Sequence, residues 1–184
     1  MNSASKSVER VIAHRIAADE MIPNHPEWPL LIYPGAVAVV GSDPAIAFEE
    51  LFERNQWPAA WRNGVYPFHH YHSNAHEALG IYSGEVTVQF GGARGIEVTA
   101  RAGDVIVLPA GTGHKKLSSR GTLGVVGAYP AGQHPGMCSA AANTLQRNAA
   151  AVTRVPMPDC DPVFGAGGPL TRYWTGQPTG GPSS

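Results

Sequence analysis

Half of the chain's 8 histidines fall in one stretch, Gly64 to Gly84, which reads GVYPFHHYHSNAHEALGIYSG and places Glu77 directly behind them. That density of ligand-type side chains constrains the backbone that carries it. If His70 and His72 lie on an extended strand, where side chains alternate between faces, both imidazoles point the same way. His69 then turns to the opposite face, and the polar turn Ser73-Asn74-Ala75 lets Glu77 join the pair. A second stretch, Gly103 to His114 (GDVIVLPAGTGH), reads as a buried strand that breaks at Pro109-Ala110-Gly111 and ends on His114. Three imidazoles and one carboxylate then converge. His76 alternates away from Glu77 and is a candidate for a supporting contact behind the ligands, or for a substitute ligand if Glu77 points outward.

The rest of the chain reads mostly as strands. With 22 Gly, 16 Pro and a charged fraction of 15%, many short strands joined by turns are favoured over long helices. A length of 184 residues at 43% hydrophobic content bounds the answer at one core with decorations. Val86, Val88 and Phe90 alternate with Glu85, Thr87 and Gln89, Gly91 to Gly95 makes a turn, and Ile96, Val98 and Ala100 resume the alternation. Val105 to Leu108 is a continuous apolar run, as in a strand covered on both faces. Strand pattern returns at Leu117 and from Leu123 to Tyr129. Leu30–Tyr33 and Ala36–Val40 read as short strands around a Pro34-Gly35 turn. Ser42-Asp43-Pro44 reads as a helix start, and Ala45, Phe48, Leu51 and Phe52 repeat at helical spacing through Arg54. Trp57 and Trp61 read as plugs at a core edge. Val8 to Met21 fits either a short amphipathic helix or an irregular arm. Ser139 to Val152 reads as a short helix, Val155 to Pro162 as extended chain, and DPVFGAGGPL as turns.

Several function classes are disfavoured. The formal net charge is -1 and the longest basic run is Lys115-Lys116, so the electrostatic footprint of a nucleic-acid binder is missing. Small molecules or further copies of the chain are the expected partners. The chain has no apolar run long enough to cross a bilayer, and MNSASKSVER lacks the apolar region of a secretory signal, so the expected compartment is the cytoplasm. Cys138 and Cys160 lack metal-site or redox spacing and read as free thiols.

Imidazole nitrogens with one carboxylate suit a borderline divalent ion such as Fe, Mn, Co, Ni, Cu or Zn, whereas Mg or Ca would want oxygen ligands. Four protein ligands leave one or two positions open for water, dioxygen or a chelating substrate. Around the ion, Tyr66, Phe68, Ile81, Val86 and Val88 are candidates for an apolar wall. Lys116 and Ser118 continue the inward face of the strand after His114, and Lys116 is a candidate contact for an anionic substrate.

Gly64 to Gly84 fits GxxxxxHxHxxxxExxxxxxG and Gly103 to His114 fits GxxxxxPxGxxH, and in both patterns the chain resembles the cupin superfamily. At roughly the 7% usage of Gly for each of the fixed positions, a chance match would occur less than about once in 10^5 chains. The flanking WRNGVYPFHHYHSNAHEALG, VVGAYPAGQ and DPVFGAGGPL are similar to the small bacterial YjlB-type cupins. The pattern departs at Ser118, where the superfamily's second motif carries Asn.

The resemblance implies an all-β fold, a single-domain jelly-roll barrel of two antiparallel sheets with short flanking helices. The chain is expected to divide into an N-terminal arm (1–34), a barrel core (35–130), a C-terminal extension packing on the barrel (131–176) and a tail (177–184) whose composition reads as disordered. Carried over by position, the metal ligands are His70, His72, Glu77 and His114, with Glu77 also the candidate catalytic group. The segment before Gly35 is a candidate for pairing two copies into a homodimer. Reactions in the superfamily are diverse. The expectation is a metal-dependent enzyme on a small organic molecule, a dioxygenase-type oxidoreductase first, with a non-catalytic binding protein or a metal-dependent isomerase or lyase as alternatives.

Overall fold

The period-two pattern on either side of Gly91 to Gly95 becomes a hairpin that extends into a curled antiparallel sheet, seen in a computed structural model that describes residues 10–176. In chain order the elements are β1 (Ile12–His14), β2 (Leu30–Tyr33), α1 (Ala45–Arg54), β3 (Ala59–Asn63), β4 (His70–His72), β5 (Glu77–Phe90) and β6 (Ile96–Arg101). They continue with β7 (Val105–Leu108), β8 (His114–Ala128), β9 (Met137–Ser139), a 3-10 turn (Ala142–Thr144), α2 (Leu145–Val152) and α3 (Pro169–Thr175). The strands run in the order β1-β2-β7-β5-β8-β4-β9, with β3 added to β8 and β6 to β5.

β5 and β8 are the spine. They pair along nearly their whole length, from Ala78 opposite Ala128 to Phe90 opposite His114. The far edge of β5 is taken by β7 near Glu77 and by β6 from Glu85 onward. Register shifts near Ser83 and between Thr87 and Val88 interrupt the β5–β8 ladder, and such bulges bend and twist a strand pair. The jelly roll is therefore hydrogen-bonded as one continuous curl, whose two long strands serve both of its halves.

Alternation sorts the core into two clusters. Leu31, Tyr33, Val105 and Val107 face one way, under Phe48 and Phe52 of α1, while Leu30, Ile32, Ile106 and Leu108 face the other, with Leu79, Ile81, Val86 and Val88. Both faces of β2 and β7 are buried, which is why their sequences are apolar without a break. Full burial of Phe48 and Phe52 contributes about 1.5–3 kcal/mol each. α1 can lie this close to β5 because Gly80 has no side chain: a Cβ there would strike the Phe48 ring.

Several local expectations need correction. Ala36–Val40 is not a strand. Val37 N–H bonds the Gly103 carbonyl at 3.0 Å, but the chain then leaves the sheet and Val40 is 70% exposed. α1 starts as expected after Ser42-Asp43-Pro44, with Pro44 at the cap position and the Asp43 carboxylate paired with Arg62 at 2.8 Å. The N-terminal arm is extended, with β1 on β2, although Val8 and Glu9 lie outside the described residues, as does the 177–184 tail. Pro169-Leu170 opens α3 rather than a turn; Pro at the first helical position and Gly176 (φ 69°) just past the end were the readable signals. Cys138 and Cys160 carry free thiols, and no helix among the described residues is long and apolar enough to cross a membrane.

Buried His25 accepts the Glu27 and Trp28 N–H groups through Nδ1, at 3.2 and 2.9 Å, and stacks on the Trp28 ring. Burial lowers its pKa to about 4. With the folded value below the ordinary 6.5, its contribution to stability is complete above about pH 6.5 and is lost as pH falls toward 4. An NMR titration of the His25 ring should therefore show a midpoint near 4, with the melting temperature declining over the same window.

Candidate metal centre

His70 and His72 sit on β4, and His114 opens β8 directly opposite His70. The loop carrying His114 is tied on both sides. Gly111 N–H bonds the His72 carbonyl at 2.7 Å, Gly91 N–H bonds the Gly113 carbonyl at 2.7 Å, and Gly113 N–H bonds Asn24 Oδ1 at 3.1 Å. Asn24 itself stands at φ 46°, in the left-handed region that Asn tolerates. It was not anticipated as part of the site; its one sequence signal is that a polar residue stands between prolines at 23 and 26.

Each of the three imidazoles is held from behind. Nδ1 of His70 meets the Phe68 carbonyl at 3.2 Å, Nδ1 of His72 the Gly136 carbonyl at 3.0 Å, and Nδ1 of His114 the Thr112 carbonyl at 3.1 Å. A carbonyl only accepts, so in the neutral ring the proton resides on Nδ1 and the Nε2 lone pair is free. One ligand atom from each ring lies within 4.8 Å of the others. Glu77, opening β5, adds Oε2 at 3.3 Å from His114 Nε2 and 3.6 Å from His72 Nε2. That oxygen is buried and has no hydrogen-bond partner among the described residues.

Lone pairs of three imidazoles and a carboxylate facing one another need positive charge among them, either protons or a cation. Burial works to raise the Glu77 pKa, but the His114 and His72 rings overcome it and hold the carboxyl well below its usual range. His72 moves upward despite burial, through its contact with Glu77. His70, buried and beside His114, is lowered to about 4 and is therefore neutral. The donor set fits a borderline divalent ion.

The other Glu77 oxygen is also anchored. Tyr129 O–H donates to Oε1 at 2.9 Å, and Trp61 Nε1–H donates to the Tyr129 oxygen at 2.9 Å. Trp61 pairs with Gly127 across β3 and β8, and its indole lies where a Cβ on Gly127 would be. Burial and the nearby Glu77 charge push the Tyr129 pKa well above its ordinary value, so it stays a donor. Neither residue was read as part of the site. A tyrosine closing an apolar strand was the available signal, since a buried phenol needs a partner.

A cavity of about 270 Å³ opens over these groups. His70, His72, Glu77 and His114 line it together with Trp61, Asn63, Gly64, Val65, Tyr66, Leu79, Tyr129, Pro135 and Met137. Of the wall residues expected from the sequence, Tyr66 is there. Ile81, Val86 and Val88 are not; they pack one layer behind, in the cluster to which Val65 and Leu79 belong. Phe68 stacks on Tyr66 outside the lining. Lys116 and Ser118 are also not among the lining residues; Lys116 keeps the register of His114, opposite Val88, whereas the shift between Val88 and Thr87 breaks the alternation before Ser118.

His69 turns away and meets Gln89 at 3.1 Å. His76 is fully buried on the far side of Glu77. Its Nδ1 accepts the Ala110 N–H at 2.8 Å, its Nε2 donates to the Pro156 carbonyl at 3.1 Å, and burial lowers its pKa to about 3. It thus fastens the Pro109-Ala110-Gly111 turn to the chain beyond α2 and is not oriented as a ligand.

A curled antiparallel sheet with clustered histidines on adjoining strands is the arrangement of a cupin, and the chain belongs to that family. The cupin domain family matches residues 62–121. Within the family, the chain is 39% identical over 156 residues to the uncharacterized protein YjlB of Bacillus subtilis (strain 168), covering 85% of this chain and 92% of that one. Among solved structures it is similar to an uncharacterized protein with a double-stranded β-helix domain from Klebsiella pneumoniae, at 13% identity and a TM-score of 0.34, covering 76% of this chain and 84% of that one. It is also similar to the Bacillus subtilis oxalate decarboxylase OxdC, at 16% identity and a TM-score of 0.34, covering 64% of this chain and 29% of that one.

Proposed function

We propose that His70, His72, His114 and Glu77 hold one divalent transition-metal ion, and that the protein is a metal-dependent enzyme acting on a small organic molecule, of the dioxygenase type. The observation that carries this reading is the unpartnered Glu77 Oε2 beside imidazoles whose Nδ1 atoms are all spoken for, at the base of an open cavity. A bound ion of this kind supplies Lewis-acid or one-electron chemistry toward a ligand with adjacent oxygens. The chain's own groups do the rest. Val65 and Leu79 form part of the apolar inner wall, and Glu77, held ionised by the His114 and His72 rings, offers its carboxylate to the ion.

Oxygen uptake by iron- or manganese-loaded protein against enolic and catecholic compounds tests the reaction class. Silence across the panel at full metal occupancy overturns it. Turnover without oxygen consumption assigns an isomerase or lyase, and stoichiometric binding without turnover assigns a binding protein.

Tyr129 has a separate role here as a positioning residue. By occupying Oε1 it leaves Oε2 alone to face the histidines. Tyr129→Phe is expected to weaken metal binding by about tenfold, the lower end of what loss of a group orienting a ligand costs. Isothermal titration with Zn(II) or Co(II) measures it, and the Co(II) visible spectrum should change because the carboxylate is free to rotate.

A further inference from the structure

The cavity wall sets the chemistry of what can enter, given the reading of this site as a metal centre. Among the described residues that line it, Glu77 is the one carboxylate and there is no Lys or Arg. Lys116, the expected cationic contact, gives its backbone N–H to the Tyr66 carbonyl at 2.8 Å but is not among the lining residues. An additional negative group on the body of a ligand would find no cationic side chain on the wall, because the ion's charge is already shared between Glu77 and the ligand's chelating oxygens.

Apolar surface gathers at the mouth instead. Tyr66 and Phe68 stack with ring centroids 5.0 Å apart and planes at 20°, and they are 47% and 46% exposed. Met137, 58% exposed, stands opposite His72 in the β4–β9 pair and lines the same opening. Large apolar side chains left this open around one entrance mark a binding surface. The volume of about 270 Å³ lies just below the roughly 300–1,000 Å³ of ligand pockets, which leaves room for about one ring inside the cavity.

We infer that the ligand is a single-ring-sized molecule with an apolar or aromatic, uncharged body, presenting adjacent oxygens to the metal, and that the cavity rejects ligands whose body carries an additional negative charge.

Two probes with the same chelating head separate this from chelation alone: 4-methylcatechol and 4-sulfocatechol, titrated into the Co(II)-loaded full chain under anaerobic conditions. The visible bands report binding, and elemental analysis of the protein fraction shows that cobalt stays bound. The methyl compound is expected to bind at least about tenfold more tightly, reflecting the uncompensated burial of the sulfonate. Tyr66→Ala should weaken the methyl compound by about three- to tenfold, and Asn63→Arg, placing a cation on the wall, should narrow the preference. Equal or tighter binding of the sulfonate overturns the inference, as does a cobalt-loaded protein that binds neither probe. In either case the metal reading stands; a chain that takes up no cobalt removes both.

Discussion

Replacing His114 with alanine should lower the affinity for Co(II) or Zn(II) by more than about 100-fold while the sheet remains folded. The bound rests on a comparison: losing a group that merely orients a metal ligand costs roughly 10–100-fold, and removing the ligand itself has to cost more. The backbone of His114 is paired with His70 on one side and Phe90 on the other, so the strand keeps its ladder when the imidazole is deleted. The ring is buried and lies against His70 at 4.0 Å between centroids, so a cavity forms and some stability is lost as well. Circular dichroism and a melting curve on the metal-free protein separate this loss from the loss of binding. His69→Ala is the matched control. His69 neighbours His70 in sequence but faces Gln89, and its removal is expected to leave metal affinity within about twofold, as for a surface substitution away from the site. An unchanged affinity in His114→Ala would mean that the imidazole is not a ligand.

The comparison of His69 with His70 shows what was legible in the sequence. Strand alternation alone turns one ring toward the site and the other away, and it also places Leu30 and Ile32 in one cluster and Leu31 and Tyr33 in the other. Alternation failed where the ladder slips. Counting from His114 carries Lys116 and Ser118 inward, but the extra residue between the Val88–Lys116 and Thr87–Ser118 pairs breaks that count before Ser118. The Tyr129–Trp61 contact was illegible for a different reason. It joins β3 to the far end of β8, residues 68 apart, and depends on Gly127 leaving room for an indole. Composition and local period carry no information about a contact of that range. Short polar anchors were equally hidden: Asn24 and Asp161 look like loop or surface residues in a Pro- and Gly-rich chain, yet both are buried.

Asp161 is the anchor whose loss should cost the fold most. It is fully buried, and all its acceptor capacity is directed at the protein. Oδ1 receives the Val163 and Phe164 N–H groups at 2.7 and 3.0 Å, while Oδ2 receives the Tyr33 hydroxyl at 2.7 Å and the Leu170 N–H at 2.9 Å. One carboxylate therefore closes the Asp161–Gly165 turn, fixes the start of α3 and fastens both to β2. Asp161→Ala leaves these donors without their acceptor, and those of Tyr33, Val163 and Leu170 are buried; each stranded buried group costs about 1–3 kcal/mol. Allowing for local relaxation, a total near 3–5 kcal/mol is expected, which at about 2–4 °C per kcal/mol for a chain of this size lowers the melting temperature by roughly 6–20 °C. Asp161→Asn should recover little, because its amide donors would face N–H groups. The damage should be regional. Trp174 on α3 stacks on Trp28 at 4.8 Å and packs against His76, which holds the turn before His114. Hydrogen exchange in Asp161→Ala should therefore rise first in α3 and the 161–168 turn, then at Ala110 and Gly111, with β5 and β8 protected longest. Uniform acceleration across the sheet, or a melting temperature within about 2 °C of the parent, would show that this carboxylate does not anchor the C-terminal segment.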